Sequence, residues 1–166
     1  MKKKHAAWLV SVLWSVLLFC GCGYSPEAQI QQLNDRFCDS YNHLDVEGVL
    51  DCLEPSMAES INAMVEFSVG VFGALTDMDL DMDAETMYSL LNLCVNLTPE
   101  SELEAMGMPE LTMELQSLEL SEWEDEAVAV VDITLEAGDQ IQQERCQVYY
   151  VNLDGDWYFS NMNFEQ

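Results

Sequence analysis

Apolar residues recur at helical spacing through the first half of the chain and at every second position through its last third. Ile30, Leu33, Phe37, Tyr41 and Leu44 stand 3, 4, 4 and 3 residues apart, which predicts an amphipathic helix of about four turns. Ser25 is placed to cap it, with Pro26 at the first helical position. Asp45 can cap a second, short helix with the stripe Val46, Val49, Leu50 and Leu53, which Pro55 ends. Residues 56–76 predict a third helix, with Met57, Ile61, Met64, Val65, Ser68 and Phe72 on one side. Val69 and Val71 put apolar surface on its other side, so much of this helix is expected to be buried. Gly70 and Gly73 weaken it towards its C-terminal end. Residues 77–83 are an acidic loop. Residues 84–97 form a fourth helix carrying Met87, Tyr88, Leu91, Cys94 and Val95, which stops before Pro99.

From Thr112 the period changes to two. Met113 and Leu115, then Leu118 and Leu120, alternate out of phase with each other, which predicts a bulge near Gln116–Ser117. Residues 127–135 are a strand with Ala127, Ala129, Val131, Ile133 and Leu135 on one face. Gly138-Asp139 is a turn, residues 141–153 a long strand, Asp154-Gly155 a hairpin turn and residues 157–164 the last strand. Helices followed by an antiparallel meander define an α+β class: N-terminal helices packed on a curved, cone-like antiparallel sheet of about four strands. There is no internal repeat, and residues 27–166 read as a single domain.

Ahead of that domain, residues 6–19 form a mostly apolar run of 14 positions behind Lys2, Lys3 and Lys4. A spanning helix needs about 20 apolar residues, whereas a signal-peptide core needs about 7–15. The run ends in Leu18-Phe19-Cys20-Gly21-Cys22, which resembles the lipobox of bacterial lipoproteins. That resemblance implies cleavage after Gly21, a diacylglyceryl (palmitate-type) anchor on Cys22, a tether over residues 22–26, and a place on the outer face of the bacterial cytoplasmic membrane. Two buried acyl chains make a stable anchor at about 0.8 kcal/mol per CH₂.

The charge balance narrows the partners. Of 166 residues, 31 are acidic and 5 basic, and without residues 1–21 only Arg36 and Arg145 face all 31 acids. Phosphates would be repelled, so nucleic-acid binding through a basic face is excluded. Because 49% of the residues are apolar, a packed core is expected rather than an acidic disordered tail. Such a surface fits solubility and repulsion from anionic membrane and wall, recruitment of cations or cationic peptides, or a high-salt habitat.

Phe37-x-x-x-Tyr41-Asn42-x-Leu44-Asp45-Val46-Glu47-Gly48-Val49-Leu50 resembles the opening helix pair of nuclear transport factor 2-like domains. Val148-Tyr149-Tyr150-Val151-x-x-Asp154-Gly155-Asp156-Trp157-Tyr158 resembles their final hairpin. Uncharacterised lipoproteins of Gram-positive bacteria share this layout behind a lipobox. The resemblance implies a fold that hosts isomerases, hydratases and binding modules alike. It also implies pairing through the open sheet face, which exposed Ile141, Tyr149 and Val151 would favour.

The candidate chemistry is sparse. Cys38, Cys52, Cys94 and Cys146 are an even set outside the membrane, with three connectivities. A Cys38–Cys52 bridge across the helical hairpin with a Cys94–Cys146 staple to the sheet is the first expectation, and buried thiols are the alternative. Asp77, Asp79, Asp81 and Asp83 alternate like oxygen ligands for calcium, but the Gly and Glu of an EF-hand loop are missing. Asp83 is better placed to cap the following helix. No nucleophile, phosphate-loop or zinc motif occurs, so no cofactor is expected beyond that weak calcium reading. His43, near the end of the first helix, suits the helix dipole. An enzyme of isomerase or hydratase type would need a buried carboxylate and a tyrosine; Asp132, Tyr41, Tyr149 and Tyr150 are the candidates. Met78, Met82, Met87, Met106, Met108 and Met113 could line an adaptable apolar cleft with an acidic rim. The expectation is a non-catalytic ligand-binding or protein-interaction module, taking a cationic or amphipathic ligand, an envelope protein or a second copy. The two alternatives are a small-molecule enzyme and a structural domain dimerising through its sheet.

Overall fold

The computed structural model describes residues 25–76, 82–99, 102–103 and 107–164. The signal segment and the lipidation site Cys22 lie outside these residues. Four helices precede four strands: α1 (Pro26–Asn42), α2 (Val46–Leu50), α3 (Pro55–Thr76), α4 (Ala84–Leu97), β1 (Glu110–Leu120), β2 (Glu126–Ala137), β3 (Gln140–Leu153) and β4 (Asp156–Phe164). The strands form one antiparallel sheet in the order β1-β2-β3-β4. The α+β class expected from the sequence is the one observed.

Local chemistry sets the helix ends. Ser25 Oγ accepts from Ala28 N (3.2 Å), Asp45 Oδ1 from Gly48 N (3.2 Å) and Asp83 Oδ1 from Thr86 N (2.8 Å), each occupying one of the donors that a helix start leaves unpaired. Pro55 ends nothing; it opens α3, where its missing N–H is no loss. The turn from α1 into α2 is tight, and a Cβ on Gly48 would run into Ser40 Oγ and the Asp45 carboxylate. The β3–β4 turn places Asp154 (φ 57°) and Gly155 (φ 103°) in the left-handed region, as a two-residue hairpin demands.

Two irregularities curl the sheet. The β1–β2 register shifts between Leu115 and Ser117, where the change of phase predicted a bulge. A second shift faces Tyr149/Tyr150, where Ser160 of β4 has no partner. Bulges bend and twist their strands, and the inner face closes round α1. The core joins Ile30 and Leu33 of α1 to Val131, Val148, Tyr150, Trp157 and Phe159 of the sheet. Phe37 packs at a tilt against Phe159, with ring centroids 4.9 Å apart and planes at 54°. Buried Tyr150 donates to buried Asn34 Oδ1 at 2.9 Å, pinning helix to sheet across 116 residues of sequence.

β4 is also held at its outer edge. Phe159 N donates to Cys52 O (2.9 Å) and Glu54 N to Phe159 O (2.8 Å), so the link after α2 acts as a short edge cover.

α3 departs from expectation. Rather than being mostly buried, it buries Val69 and leaves Met64, Phe67 and Val71 exposed. It packs against α4, not against the sheet core. In α4, Tyr88 is buried and donates to Asn62 Oδ1 of α3 at 3.0 Å, whereas Leu91 and Cys94 are exposed. No helix among the described residues is long and apolar enough to cross a membrane.

The acidic surface has a direct consequence for stability. With 31 acids against 5 bases, like-charge repulsion acts across the folded surface and is screened by salt. Raising sodium chloride so that the Debye length falls from about 30 Å to about 8 Å is expected to raise the melting temperature by several degrees. Thermal scans at the two salt levels check it; an unchanged or lower midpoint would show that surface repulsion is negligible.

Candidate functional site

Where β2 and β3 run past the core, the curled sheet and the C-terminal half of α1 border an open-sided cavity of about 330 Å³. α1 contributes Phe37 and Tyr41, β1 Leu111 and Met113, β2 Ile133 and Leu135, and β4 Met162 and Phe164. β3 supplies the polar residues, Gln142 and Glu144. The register explains their place: Leu135 pairs with Gln142 and Ile133 with Glu144, so both side chains share the inner face with buried Cys146 and Val148. Gln142 Nε2 donates to Glu144 Oε1 at 2.7 Å. The carboxylate at the rim is thereby steadied while keeping acceptor capacity for a ligand.

Asn42, at the end of α1, holds the mouth in shape. Its Nδ2 donates to Leu111 O (3.0 Å) and its Oδ1 accepts from Leu111 N (2.7 Å). The side-chain amide thus pairs with the edge strand as another strand would, holding the end of α1, with Tyr41, against Leu111 of β1.

A second, broader depression of about 1300 Å³ lies between α1, the start of α3 and the β3–β4 turn. Asp35, Asp39, Asp51, Glu59 and Asp156 line it together with Arg36. Among the described residues no three His, Cys, Asp or Glu side chains converge as metal ligands.

The structure redistributes the residues singled out from sequence. Tyr41 and Met113 line the cavity. Asp132 does not: it lies on the outer sheet face, where Arg145 Nε and Nη2 donate to its two carboxylate oxygens at 2.6 and 2.8 Å. That bidentate pairing holds its carboxyl below the usual range, and it corrects the reading of Asp132 as a buried catalytic carboxylate. Tyr149 is on the same outer face, opposite Val128, and Tyr150 is consumed in the core. His43 closes α1, its Nδ1 2.8 Å from Asp39 O.

Of the four alternating aspartates, Asp77, Asp79 and Asp81 lie outside the described residues. Asp83 serves as the α4 cap, and its hydrogen bonds with Thr86 lower its pKa. Of the six methionines expected to line a cleft, Met113 is the one among the described residues that lies in this cavity, and Met82 and Met87 are half-buried elsewhere. Met113 joins Met162 in the cavity, Met108 is exposed, and Met78 and Met106 lie outside the described residues.

Neither expected disulfide is formed. Cys38 packs against the core cluster that contains Cys52, but both are reduced. Cys52 Sγ donates to Gly48 O at 3.2 Å, and burial pushes the Cys38 thiol up to about 11. Cys94 is exposed on α4, which packs on α2 and α3, whereas Cys146 is buried in the sheet, its Sγ 3.8 Å from Val131 O. Small-core-residue chemistry, not cross-linking, accounts for Cys52 and Cys146.

No family model and no curated protein matches the chain. Among solved structures it is similar to an NTF2-like protein of unknown function from Pseudomonas putida, with 16% identity, 86% of this chain and 89% of that one covered, and a TM-score of 0.42. It is also similar to the protein Rd1NTF2_05, with 9% identity, 85% and 100% covered and a TM-score of 0.48. A SEC-C motif-containing protein from Rhodopseudomonas palustris gives 10% identity, 77% and 72% covered, and a TM-score of 0.43.

Proposed function

We propose that this chain is a non-catalytic binding module, carried on the outer face of a bacterial cytoplasmic membrane by lipid on Cys22, whose cavity takes a small apolar ligand with a cationic head. The observation that carries the ligand reading is the make-up of the wall. Among the described residues, eight present aliphatic, thioether or aromatic surface, and the charged side chain lining the cavity is Glu144. A volume of about 330 Å³ lies at the small end of ligand cavities, roughly 300–1,000 Å³. The runner-up, acid–base catalysis by a carboxylate and a tyrosine, would draw on Glu144 and Tyr41, which both line the cavity. Here Gln142 is engaged with Glu144, and Asp132 faces the other way. The anchor reading is supported by the 14-residue apolar run and by Gly21-Cys22.

Calorimetric titration of residues 23–166, which contain every described contact, tests the ligand reading with octylammonium and octanol as probes. Octylammonium is expected to bind saturably and about fivefold more tightly than octanol, the size of one partly exposed charge pair. Glu144→Gln should erase that difference while leaving apolar binding in place, and Met113→Trp should fill the cavity and abolish both. Equal, non-saturable heats would refute the reading. For the anchor, metabolic acyl labelling is expected to disappear in Cys22→Ala, and labelling that persists would refute it.

A further inference from the structure

The cavity and the start of α1 lie at opposite ends of the domain. Asn42, the last residue of α1, pairs with Leu111 at the start of β1, and Leu111, Leu135 and Gln142 form one row across the sheet there. The other end of α1 points the opposite way. Gln29, in its first turn, shares the broad depression with Gly155 and Asp156 of the β3–β4 turn. The β1–β2 turn stands beside them, held by Asn152 N donating to Asp125 O at 2.7 Å. From Leu111 to Leu120 β1 runs about 30 Å, at about 3.3 Å per residue, and the 17 residues of α1 span about 25 Å.

The chain enters the domain at the turn end. Cys22 stands three residues ahead of Ser25, the cap of α1, and three residues reach at most about 11 Å. Lipid on Cys22 would therefore keep the turn end close to the bilayer. Charge decides the posture on so short a link. Beyond residue 21 the chain sets 31 acids against Arg36 and Arg145, so an anionic leaflet repels the domain, over a Debye length of about 8 Å. A domain lying on its side keeps a long flank of carboxylates within that distance, whereas one standing on its turn end keeps only the turns there. Glu122 and Glu124 flank Trp123, which is 82% exposed on the β1–β2 turn, and carboxylates so placed hold the turn at the lipid surface rather than within it.

We infer that the anchored domain stands upright, with its β1–β2 and β3–β4 turns against the membrane and the mouth of the cavity facing away from it, so that the ligand arrives from the aqueous side and not from the bilayer below. This rests on Cys22 as the lipidated residue and on the cavity as the ligand site. Size agrees with the direction of entry. A volume of about 330 Å³, at the small end of ligand cavities, holds a single short chain and has no room for a two-chain lipid. The ligand class is a small amphiphile that travels through water.

Fluorescence quenching on vesicles tests the posture. Residues 22–166 carrying Cys94→Ser are coupled through Cys22 to a maleimide lipid in vesicles of phosphatidylglycerol and phosphatidylcholine. The substitution removes the exposed thiol; Cys52 and Cys146 are buried, and Cys38 is half-buried with a raised pKa. Because the lipid is attached chemically, the result does not depend on whether a cell lipidates Cys22, which acyl labelling decides, or on whether the cavity binds, which calorimetry decides. The tryptophans of residues 22–166 are Trp123 and buried Trp157. Phosphatidylcholine spin-labelled at its headgroup is expected to remove half or more of the Trp123 emission. Ile141→Trp combined with Trp123→Phe moves the reporter beside Gln142 at the cavity end, to a site 62% exposed. There it should lose no more emission than Trp157 does in Trp123→Phe alone, and acrylamide should reach it as readily as in the free protein. If Ile141→Trp disturbs folding, Gln140→Trp, exposed one residue earlier, takes its place. Equal quenching of the two reporters would overturn the inference in favour of a domain lying on its side. Stronger quenching at the cavity end would overturn it in favour of a mouth facing the bilayer. Quenching of neither would overturn it too, since the turn end would then stand further off than three residues allow.

Discussion

Ile30→Ala is expected to lower the unfolding free energy by about 2–5 kcal/mol, the range for truncating a fully buried aliphatic side chain. Ile30 has no exposed surface and sits where α1 meets the inner sheet face. Its loss removes transfer free energy and leaves a cavity that α1, tied down by Tyr150–Asn34 and Asn42–Leu111, cannot collapse to fill. Against a total of about 5–15 kcal/mol for a domain of ordinary stability, that is a large fraction. Urea titration should show a lower midpoint with an unchanged slope. A change below about 0.5 kcal/mol, the level of a surface substitution, would mean that α1 is not packed as described.

Alkaline pH is expected to unfold the protein more sharply than its acidic surface suggests. Burial raises the pKa of Tyr150 above its usual 10.0 and that of Cys38 from 9.0 to about 11, and Cys52 is raised as well. Each group is neutral when protonated, and between its unfolded and folded pKa values the unfolded chain has released a proton that the folded chain retains. Stability from these groups is therefore fully present below about pH 9 and is lost as pH rises through 9–11 and beyond. Urea midpoints between pH 7 and 11 should hold steady and then fall. Tyr150→Phe should remove the tyrosine's share of that fall. At neutral pH it should cost about 1–3 kcal/mol, because Asn34 Oδ1 loses its buried donor. A midpoint that stays flat to pH 11 would contradict the burial of these groups.

Much of the frame was legible because it rests on local rules. The caps at Ser25, Asp45 and Asp83, the Asp154-Gly155 turn, the bulge after Leu115 and the inner face of β2 all follow from short-range geometry. α3 misled because an apolar helix face reads the same whether it is covered by its own chain or by another surface. Four cysteines fit paired bridges and small core residues equally well, and side-chain packing decides between them. The cavity was half visible. Tyr41 and Met113 stood out, but Gln142 and Glu144 are polar residues on an inner face. Hydropathy does not assign such residues inward, and only the β2–β3 register places them beside Ile133 and Leu135. Asp132 shows the converse: it shares strand parity with Val128 and Val130, the structure turns that face outward, and Arg145, thirteen residues away in sequence, completes a surface pair.

The central claim is that the apolar cavity beneath Asn42 and Glu144 binds a ligand, and methyl-resolved nuclear magnetic resonance during titration with octylammonium tests it most directly. The account predicts saturable shifts confined to Leu111, Met113, Ile133, Leu135 and Met162, lost in Met113→Trp. Shifts that never saturate, or that appear on Leu90, Leu93 and Leu97 while the cavity methyls stay still, would contradict it.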